Sequence, residues 1–476
     1  TIINWADNAL RFYGSASANG ATLNSRGGLI ETSSANWFDV SPLSIHASGS
    51  LVGGTPGTWL LDPRNVTISN ANSNISAGPN FLPNGNSATI DAATISAALT
   101  GGASVTVLTF DPSLIFPPAA GQTGNITVST AITSAGAGTL TLIAAGQINI
   151  NANITGGGAL NLVLLAGNNA GTEPNNPLPV GAGARNVNIA AAVTIDLNGG
   201  GFQSSGENLT MGAGSSIDAT GGYQINHTGN VTLFTTDTTA FSGAASTVGG
   251  NLAVTSATSN ITQSQSLTVT GTSSFTTSFN NADILLTNTS NSFGGAITLG
   301  TNGATGNASI TNNAAGGTSF ATSSVGGRLT AVNNLGNLTT TGTVTSTEAY
   351  LTVSGSGTTI GTGTGSRFAL NTSGEIRIFA AAASSNNDAF ISNSNAATPI
   401  LIANGAGVNM RGINYRGTAG NVQLATGINP LTADGNLTIL LDAVGGSISV
   451  PAGAFITVNG AGTAGGIASL TAGATT

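Results

Sequence analysis

Residues 138–167, GTLTLIAAGQININANITGGGALNLVLLAG, contain the pattern that decides the predicted fold. Two apolar runs, GTLTLIAAG and GALNLVLLAG, each consist of a glycine followed by a short segment with leucines at alternate positions. Such alternation is typical of a β-strand with one buried face. Leu140 and Leu142 of the first run are matched by Leu160 and Leu162 of the second, a step of 20 in sequence number (160 − 140). This repetition indicates strands that stack coil upon coil.

The same glycine-plus-strand unit recurs along most of the chain. Apolar residues step by 19 from Ile310 to Leu329 and by 22 from Leu329 to Leu351. A period of about 20 residues built of strands and turns predicts a solenoid. Further copies of the unit begin at Gly124, Gly229, Gly250, Gly327, Gly336, Gly374, Gly420 and Gly435.

The strands are short and the corners are rich in glycine and asparagine, so the sequence predicts an all-β parallel β-helix. It would be an elongated rod with two or three strands per coil. Helices are nearly excluded, because β-branched residues, glycine and asparagine dominate and helical periodicity is missing. The leucines should lie inside, with Leu162 stacked on Leu142 of the neighbouring coil. An array of antiparallel sandwiches is the rival architecture, but the Asn-Gly hairpin turns that it favours are scarce.

The composition excludes several classes of function. Charged residues make up 5% of the chain, all nine basic residues are arginine, and the formal net charge is −8. There is therefore no basic surface for nucleic acid or for an anionic membrane. No apolar run reaches the roughly 20 residues of a membrane-spanning helix, so no membrane insertion is expected. Cysteine is absent, which suits a large protein that crosses a bacterial envelope unfolded.

Two polar stretches interrupt the repeat and are predicted to be loop excursions. The first, near residues 168–185, is rich in proline and asparagine, and the second lies near residues 384–396. Binding on a repetitive scaffold usually occurs at such loops. We divide the chain into the start of the β-helix at residues 1–70 and a continuous β-helix at residues 71–476.

A second pattern lies near the start of the chain, where GGLIETS, from Gly27, is followed by GTWLLDPRNVTIS, from Gly57. This succession of an ETS segment and a WLLDP segment resembles the filamentous-haemagglutinin-like adhesins, which Gram-negative bacteria export by two-partner secretion. Ser34 stands where that family usually has glycine. The residues that carry the resemblance are Gly27, Gly28, Glu31, Thr32, Ser33, Trp59, Leu60, Leu61, Asp62 and Pro63.

The resemblance implies a right-handed parallel β-helix, export through a dedicated outer-membrane transporter, and a place outside the cell. The chain would then be a segment of a longer protein, and this segment would not include the amino-terminal secretion domain. From the residues themselves, we interpret the bulky run that begins at Trp59 as a packing plug. Pro63 would end its strand, and Asp62 would cap nearby backbone amides.

Few residues could carry chemistry. Asp196 in TIDLNGG and Asp218 in SIDATGG both follow isoleucine and are separated by one coil step (218 − 196 = 22), so they should stack on adjacent coils. They are either candidate Ca²⁺ ligands or corner residues that cap turns. His46 and His227 lie in unrelated contexts, so neither a catalytic triad nor a histidine metal site is predicted. We expect no catalytic residues and no cofactor.

Several N-x-S/T sequons raise the alternative of glycosylation. They lie at strand starts, where asparagine also suits a corner and can form ladders from coil to coil. The candidate sites are Asn65, Asn125, Asn153, Asn208, Asn230, Asn260, Asn337 and Asn436.

These observations favour a non-catalytic adhesin or adhesin stalk that is secreted by, or displayed on, a Gram-negative bacterium. Its partners would be the outer-membrane transporter during export and a glycan or protein ligand on a host or bacterial surface. End-to-end self-association is also expected. The alternatives are a self-assembling subunit of an extracellular fibre or sheath and, less favoured, a β-helix enzyme that acts on polysaccharide.

Overall fold

The chain folds as a solenoid of stacked coils made almost entirely of parallel β-strands, which confirms the predicted all-β parallel β-helix. Within the described residues, no helix is both long and apolar enough to cross a membrane. The computed structural model describes residues 1–6, 9–34, 37–40, 42–50, 54–62, 65–70, 88–109, 124–167, 184–381, 387–403, 410–426, 431–433, 436–442, 446–452, 454, 456–458 and 467–472.

The strands are short, because each one covers a single side of a coil. Up to residue 243 they are β1 (Ile2–Ala6), β2 (Ala9–Phe12), β3 (Ser15–Ser17), β4 (Leu29–Ser34), β5 (Trp37–Val40), β6 (Ser44–His46), β7 (Thr58–Asp62), β8 (Val66–Ser69), β9 (Ala88–Asp91), β10 (Ser104–Leu108), β11 (Ile126–Val128), β12 (Ile132–Ser134), β13 (Thr139–Ala144), β14 (Ile148–Ile150), β15 (Ile154–Gly156), β16 (Asn161–Ala166), β17 (Val187–Ile189), β18 (Thr194–Asp196), β19 (Phe202–Gly206), β20 (Leu209–Met211), β21 (Ser216–Asp218), β22 (Tyr223–His227), β23 (Val231–Thr235) and β24 (Thr239–Phe241).

The remaining strands continue the same style of coil. They are β25 (Ser246–Val248), β26 (Leu252–Ser256), β27 (Ile261–Gln263), β28 (Leu267–Val269), β29 (Ser273–Asn280), β30 (Ile284–Leu286), β31 (Ser292–Phe293), β32 (Ile297–Asn302), β33 (Ala308–Asn312), β34 (Thr318–Phe320), β35 (Ser323–Ser324), β36 (Arg328–Asn333), β37 (Leu338–Thr340), β38 (Val344–Ser346), β39 (Glu348–Val353), β40 (Phe368–Thr372), β41 (Glu375–Ala380), β42 (Asp388–Asn393), β43 (Ile400–Ile402), β44 (Gly412–Gly417), β45 (Val422–Leu424), β46 (Leu431–Ala433), β47 (Leu437–Leu441), β48 (Ile448–Ser449), β49 (Ile456–Val458) and β50 (Ala468–Ala472).

Close contacts divide the chain into two units. The first comprises residues 1–243 and 247–250, and the second comprises residues 244–246 and 251–476. In the first unit, one sheet runs β1-β4-β7-β10-β13-β16-β19-β22. A second sheet includes the run β8-β11-β14-β17-β20-β23. In the second unit, the corresponding runs include β30-β33-β36-β39-β41-β43 and β42-β44-β47-β50.

Alternation along each strand decides which side chains enter the core. In β13 and β16 the leucines at alternate positions are fully buried, while Thr141 and Val163 between them point outward. Removing these apolar side chains from water, coil after coil, is the main force that holds the solenoid together. The polar outward residues leave the sheet face compatible with solvent.

The register differs from the one that the sequence predicted. Leu162 is fully buried, as expected, but it pairs with Leu140, and Leu142 pairs with Leu164. In the second unit Leu329 pairs with Ala308 rather than with Ile310. These predicted partners were wrong by two positions, because alternation fixes the face of a strand and leaves its offset free.

The described residues include one short helix, α1 (Ala92–Thr100), and about 2% of the chain is helical, which agrees with the prediction that helices are nearly excluded. Its N-cap is Asp91, whose side chain accepts a hydrogen bond from the Ala93 amide at 3.0 Å. At the other end Gly102 has a φ of 82°, a left-handed conformation that glycine adopts readily. The helix follows β9, which lies between β5 and β8 in the sheet and so departs from chain order. An aspartate cap, an alanine-rich segment and two glycines were the local signal for it.

The two predicted excursions have different outcomes. Ile148 pairs with Ile126 on one side and with Val187 on the other, and the second step (187 − 148 = 39) is much longer than the first (148 − 126 = 22). Residues 168–183 lie outside the described part, and the excursion near residues 168–185 stays a prediction. The excursion near residues 384–396 is wrong in its central part, because residues 388–393 form β42, which pairs with β40 and β44.

Candidate functional site

The two motif segments near the start of the chain form one structural element. The ETS segment lies in β4 and the WLLDP segment begins in β7, and these strands pair in parallel with Glu31 opposite Leu60 and Thr32 opposite Leu61. Trp59 is fully buried, and its indole Nε1–H donates a hydrogen bond to Thr32 Oγ1 at 2.9 Å. The two segments are therefore joined by strand pairing and by one side-chain hydrogen bond between adjacent coils.

Glycine is required at the corner before both segments. A Cβ added to Gly27 would lie 2.1 Å from the Ala47 carbonyl oxygen, and one added to Gly57 would lie 2.1 Å from the Gly28 carbonyl oxygen. Backbone groups therefore occupy the space that a side chain would need. Leu61 is fully buried beside Trp59, in agreement with the interpretation of a packing plug. Pro63 lies outside the described residues, and only the strand position of Asp62 is described.

Asp196 and Asp218 pair in register on adjacent coils, at the ends of β18 and β21. Asp196 Oδ1 accepts a hydrogen bond from the Asn198 amide at 3.0 Å, which is the turn-capping role. Partial burial, followed by repulsion from Asp196, raises the pKa of Asp218. No group of three or more His, Asp or Glu side chains that could hold a metal ion occurs within the described ranges.

A third aspartate, Asp237, lies inside the first unit and was not singled out from the sequence. Its Oδ1 is 2.6 Å from Tyr223 Oη, and its Oδ2 accepts from the Ala219 amide at 3.0 Å. Burial raises the pKa of Asp237 to about 6. The Tyr223 hydroxyl is also 3.1 Å from the Ile217 carbonyl oxygen, and its single proton cannot serve both acceptors. A protonated Asp237 can donate to Tyr223 Oη and free that proton for Ile217.

His227 and Ser204 form a second buried polar pair in the first unit. Ser204 Oγ is 2.9 Å from His227 Nε2, while Nδ1 of the same ring has no hydrogen-bond partner within the described part of the chain. Burial lowers the pKa of His227 to about 4, so the ring is neutral at pH 7. Both side chains are buried and point into the core, so this pair is a core feature and lacks the access that a nucleophile needs.

The sequon asparagines share one contact from coil to coil. Seven of them use Oδ1 to accept a hydrogen bond from a backbone amide of the following coil, which gives the side chain a structural role at the corner, and Asn230 also has an interaction partner. Glycosylation of these residues stays a prediction. The acceptor–donor pairs are Asn65–Asn125 at 2.9 Å, Asn125–Gln147 at 2.8 Å, Asn153–Thr194 at 2.9 Å, Asn208–Asn230 at 2.7 Å, Asn260–Asp283 at 2.8 Å, Asn337–Thr359 at 2.9 Å and Asn436–Ile467 at 3.2 Å.

A charged cluster on the second unit was also missed. The guanidinium carbons of Arg328 and Arg377 lie 4.8 and 4.7 Å from the ring centre of Tyr350. The Tyr350 hydroxyl donates to Glu375 Oε2 at 2.8 Å, and Arg377 Nε donates to the same oxygen at 2.8 Å. Partial burial alone would raise the pKa of Glu375, but the hydrogen bonds from Arg377 and Tyr350 bring it below its ordinary value. With Glu348 near Arg328, the cluster neutralises its own charges.

Two further ion pairs join adjacent coils on the other sheet of the second unit. Arg411 binds both carboxylate oxygens of Asp388, and Arg416 Nε lies 2.6 Å from Asp442 Oδ2. Partly exposed pairs of this kind contribute about 0–1 kcal/mol each. Arg328, Arg377, Arg411 and Arg416 thus each pair locally with a carboxylate.

A match to a known protein family covers part of the chain. Residues 228–300 match a family described as Repeats of unknown function (DUF5649), so the matched segment is a small part of the 476-residue chain. No curated protein matches the chain. The chain is similar to this repeat family over that segment, which agrees with its repetitive β architecture.

Proposed function

We propose that the chain is a non-catalytic adhesin or adhesin stalk, secreted by or displayed on a Gram-negative bacterium and exported by two-partner secretion. The single observation that carries this proposal is the pairing of β4 with β7, in which Trp59 Nε1 donates to Thr32 Oγ1. The ETS and WLLDP segments are the basis of the resemblance to filamentous-haemagglutinin-like proteins. Their mutual packing gives a physical reason for the two to occur together.

The surface chemistry supports the same proposal. Outward residues on the second sheet of the first unit form a ladder, in which Asn188 Nδ2 donates to Asn149 Oδ1 and Thr210 Oγ1 donates to Asn188 Oδ1. An uncharged face that satisfies its own hydrogen bonds suits a stable extracellular scaffold. The absence of cysteine from the sequence is compatible with export of an unfolded chain.

The test is a measurement of adherence. Beads coated with the folded chain should bind saturably to layers of epithelial cells or to bacterial cells, and soluble chain should compete. The matched control is beads coated with the same chain after heat denaturation. Adherence equal to that of the control on every cell type would contradict the adhesin proposal.

The fibre alternative predicts a different result in the same preparation. A structural subunit should assemble into continuous filaments as its concentration rises, which negative-stain microscopy and sedimentation velocity would detect. Filaments without adherence would favour the fibre subunit over the adhesin. Cleavage of a polysaccharide, detected as new reducing ends, would favour the enzyme.

A further inference from the structure

A shallow groove of about 280 Å³ crosses one sheet face of the first unit. Register places two columns of residues beside each other, at the starts of β13, β16, β19 and β22 and at the end of β24. The first column runs through Thr139, Asn161, Gly201 and Gly222, and the second runs through Val163, Gln203, Gln224 and Ser242. Gly201 and Gly222 leave that part of the first column without side chains, which opens the groove beside the two glutamines.

The two glycines differ in what the backbone requires of them. Gly222 has a φ of 104°, and an added Cβ would lie 1.8 Å from Ser242 Oγ, so the fold needs glycine there. A Cβ added to Gly201 would meet nothing closer than 3.5 Å, which is ordinary van der Waals contact. The fold therefore tolerates a side chain at residue 201, and glycine there has the effect of keeping the groove open.

The amide groups beside the groove have unused hydrogen-bonding capacity. Gln203 and Gln224 pair in register, and neither side chain has a hydrogen-bond partner within the described residues. Elsewhere on this unit, outward amides bond one another, as Asn188 does with Gln147 and Asn149. At the end of the groove Asn161 uses Oδ1 to accept from the Gly201 amide at 2.9 Å, which leaves its Nδ2 available.

We propose that this groove binds a neutral saccharide. Its lining contains amides and hydroxyls but no charged side chain, and these groups both donate and accept hydrogen bonds. A ligand whose hydroxyls also donate and accept matches that chemistry, and Val163 offers an apolar contact for the C–H face of a sugar ring. The volume of about 280 Å³ lies just below the roughly 300 Å³ at which pockets for drug-sized ligands begin, so the groove suits a small ligand of one or two sugar units.

A peptide fits the groove less well. Extended peptides bind most readily at a sheet edge, where unpaired backbone N–H and C=O groups are available. Here the groove lies on a sheet face, and the backbone is already paired: Leu162 donates to the Gly201 carbonyl and Phe202 donates to the Gly222 carbonyl, at 3.0 and 2.9 Å. Hydrogen bonds to a ligand would therefore come mainly from side chains, and the glycines would offer van der Waals contact.

The test is the binding of lactose, maltose, cellobiose and N,N′-diacetylchitobiose to the whole chain, measured by calorimetry and by saturation-transfer NMR. We expect at least one of them to bind with millimolar affinity. Gln203→Leu with Gln224→Leu should weaken that binding roughly tenfold or more, because two neutral hydrogen bonds are lost. Gly201→Ala should also weaken it, because its methyl group fills the floor of the groove.

The control is Gln423→Leu, which changes an outward glutamine of β45 in the second unit and should leave sugar binding unchanged. Circular dichroism would establish that the variants remain folded. Failure of all four sugars to bind, or binding that the groove variants leave unchanged, would overturn the proposal. Binding of a neutral Ser/Thr-rich peptide in place of the sugars, lost in the same variants, would overturn the ligand class.

The saccharide proposal gives a ligand class to the proposed adhesin. It rests on the proposed function only for its biological role. Bead adherence without any sugar binding would leave the adhesin proposal intact and reject the groove. Sugar binding that depends on the groove, without bead adherence, would support the groove and reject the adhesin.

Discussion

The hydrogen bond between Trp59 and Thr32 can be tested by a double-mutant cycle. Trp59→Phe removes the indole donor and leaves the buried Thr32 hydroxyl without it, while Thr32→Val removes the acceptor and leaves the indole N–H unpaired. An unsatisfied buried polar group costs about 1–3 kcal/mol, so each single variant should destabilise this element by roughly 2 kcal/mol. Trp59→Phe should cost somewhat more, because the smaller ring leaves a void.

The double variant separates this hydrogen bond from the loss of packing. Once both partners are gone, no polar group is left unpaired, so the double variant should be less destabilised than the sum of the single variants by about 1–2 kcal/mol. Additive effects would refute the claim that the two segments stabilise each other through this contact.

Hydrogen exchange of peptides that cover β4 and β7 is the appropriate assay, because a long repeat chain need not unfold in one step. A loss of roughly 2 kcal/mol corresponds to about 30-fold faster exchange, provided that these amides exchange through local opening. Phe279→Leu is the control: Phe279 is 53% exposed and lies in β29 of the second unit, so its substitution should leave exchange in β4 and β7 unchanged.

Four further predictions concern buried and corner residues. Asn208→Ala removes the hydrogen bonds to the Asn230 amide (2.7 Å) and to Asn186 Oδ1 (2.9 Å), and should lower local stability by about 1–2 kcal/mol. The expected result is faster hydrogen exchange of the Asn230 amide. Unchanged exchange would contradict the structural role of this asparagine between coils. Burial raises the pKa of Asp237 from 3.8 to about 6, so the neutral acid stabilises the fold fully below pH 3.8, and this contribution is lost as the pH rises through about 6. Asp237→Asn keeps a neutral side chain at every pH. It should therefore raise the Tm at pH 8 and have little effect at pH 4.5. The pKa of His227 is lowered, so stability is lost as the pH falls from about 6.5 towards 4, and His227→Phe should reduce the loss of Tm over that range. EDTA should leave the Tm unchanged, whereas a large fall would direct attention to the paired aspartates.

The sequence predicts the fold well because alternation of apolar and polar residues and the spacing of glycines act along each strand. Alternation identified Leu140, Leu162 and Leu329 as core residues. It could not give their partners, because coil lengths vary: the step from Ile148 to Val187 is 39 (187 − 148), but the step from Val187 to Leu209 is 22 (209 − 187). Register is decided by corners and insertions, which alternation does not record.

The candidate sites were less predictable, because they depend on which side chains meet across coils. The equal contexts of Asp196 and Asp218 allowed their stacking to be predicted. Asp237 occurs among threonines, with no pattern to show that it faces inward towards Tyr223. The groove depends on where glycines fall in an outward column, and that column is known only once the register is known.

The most direct test of the central claim is the attachment of the cells that produce this protein, with and without its gene. Under flow over epithelial cells, we predict that deletion lowers the number of attached cells several-fold and that restoring the gene returns it. Equal attachment of the deletion and parent strains would contradict the account.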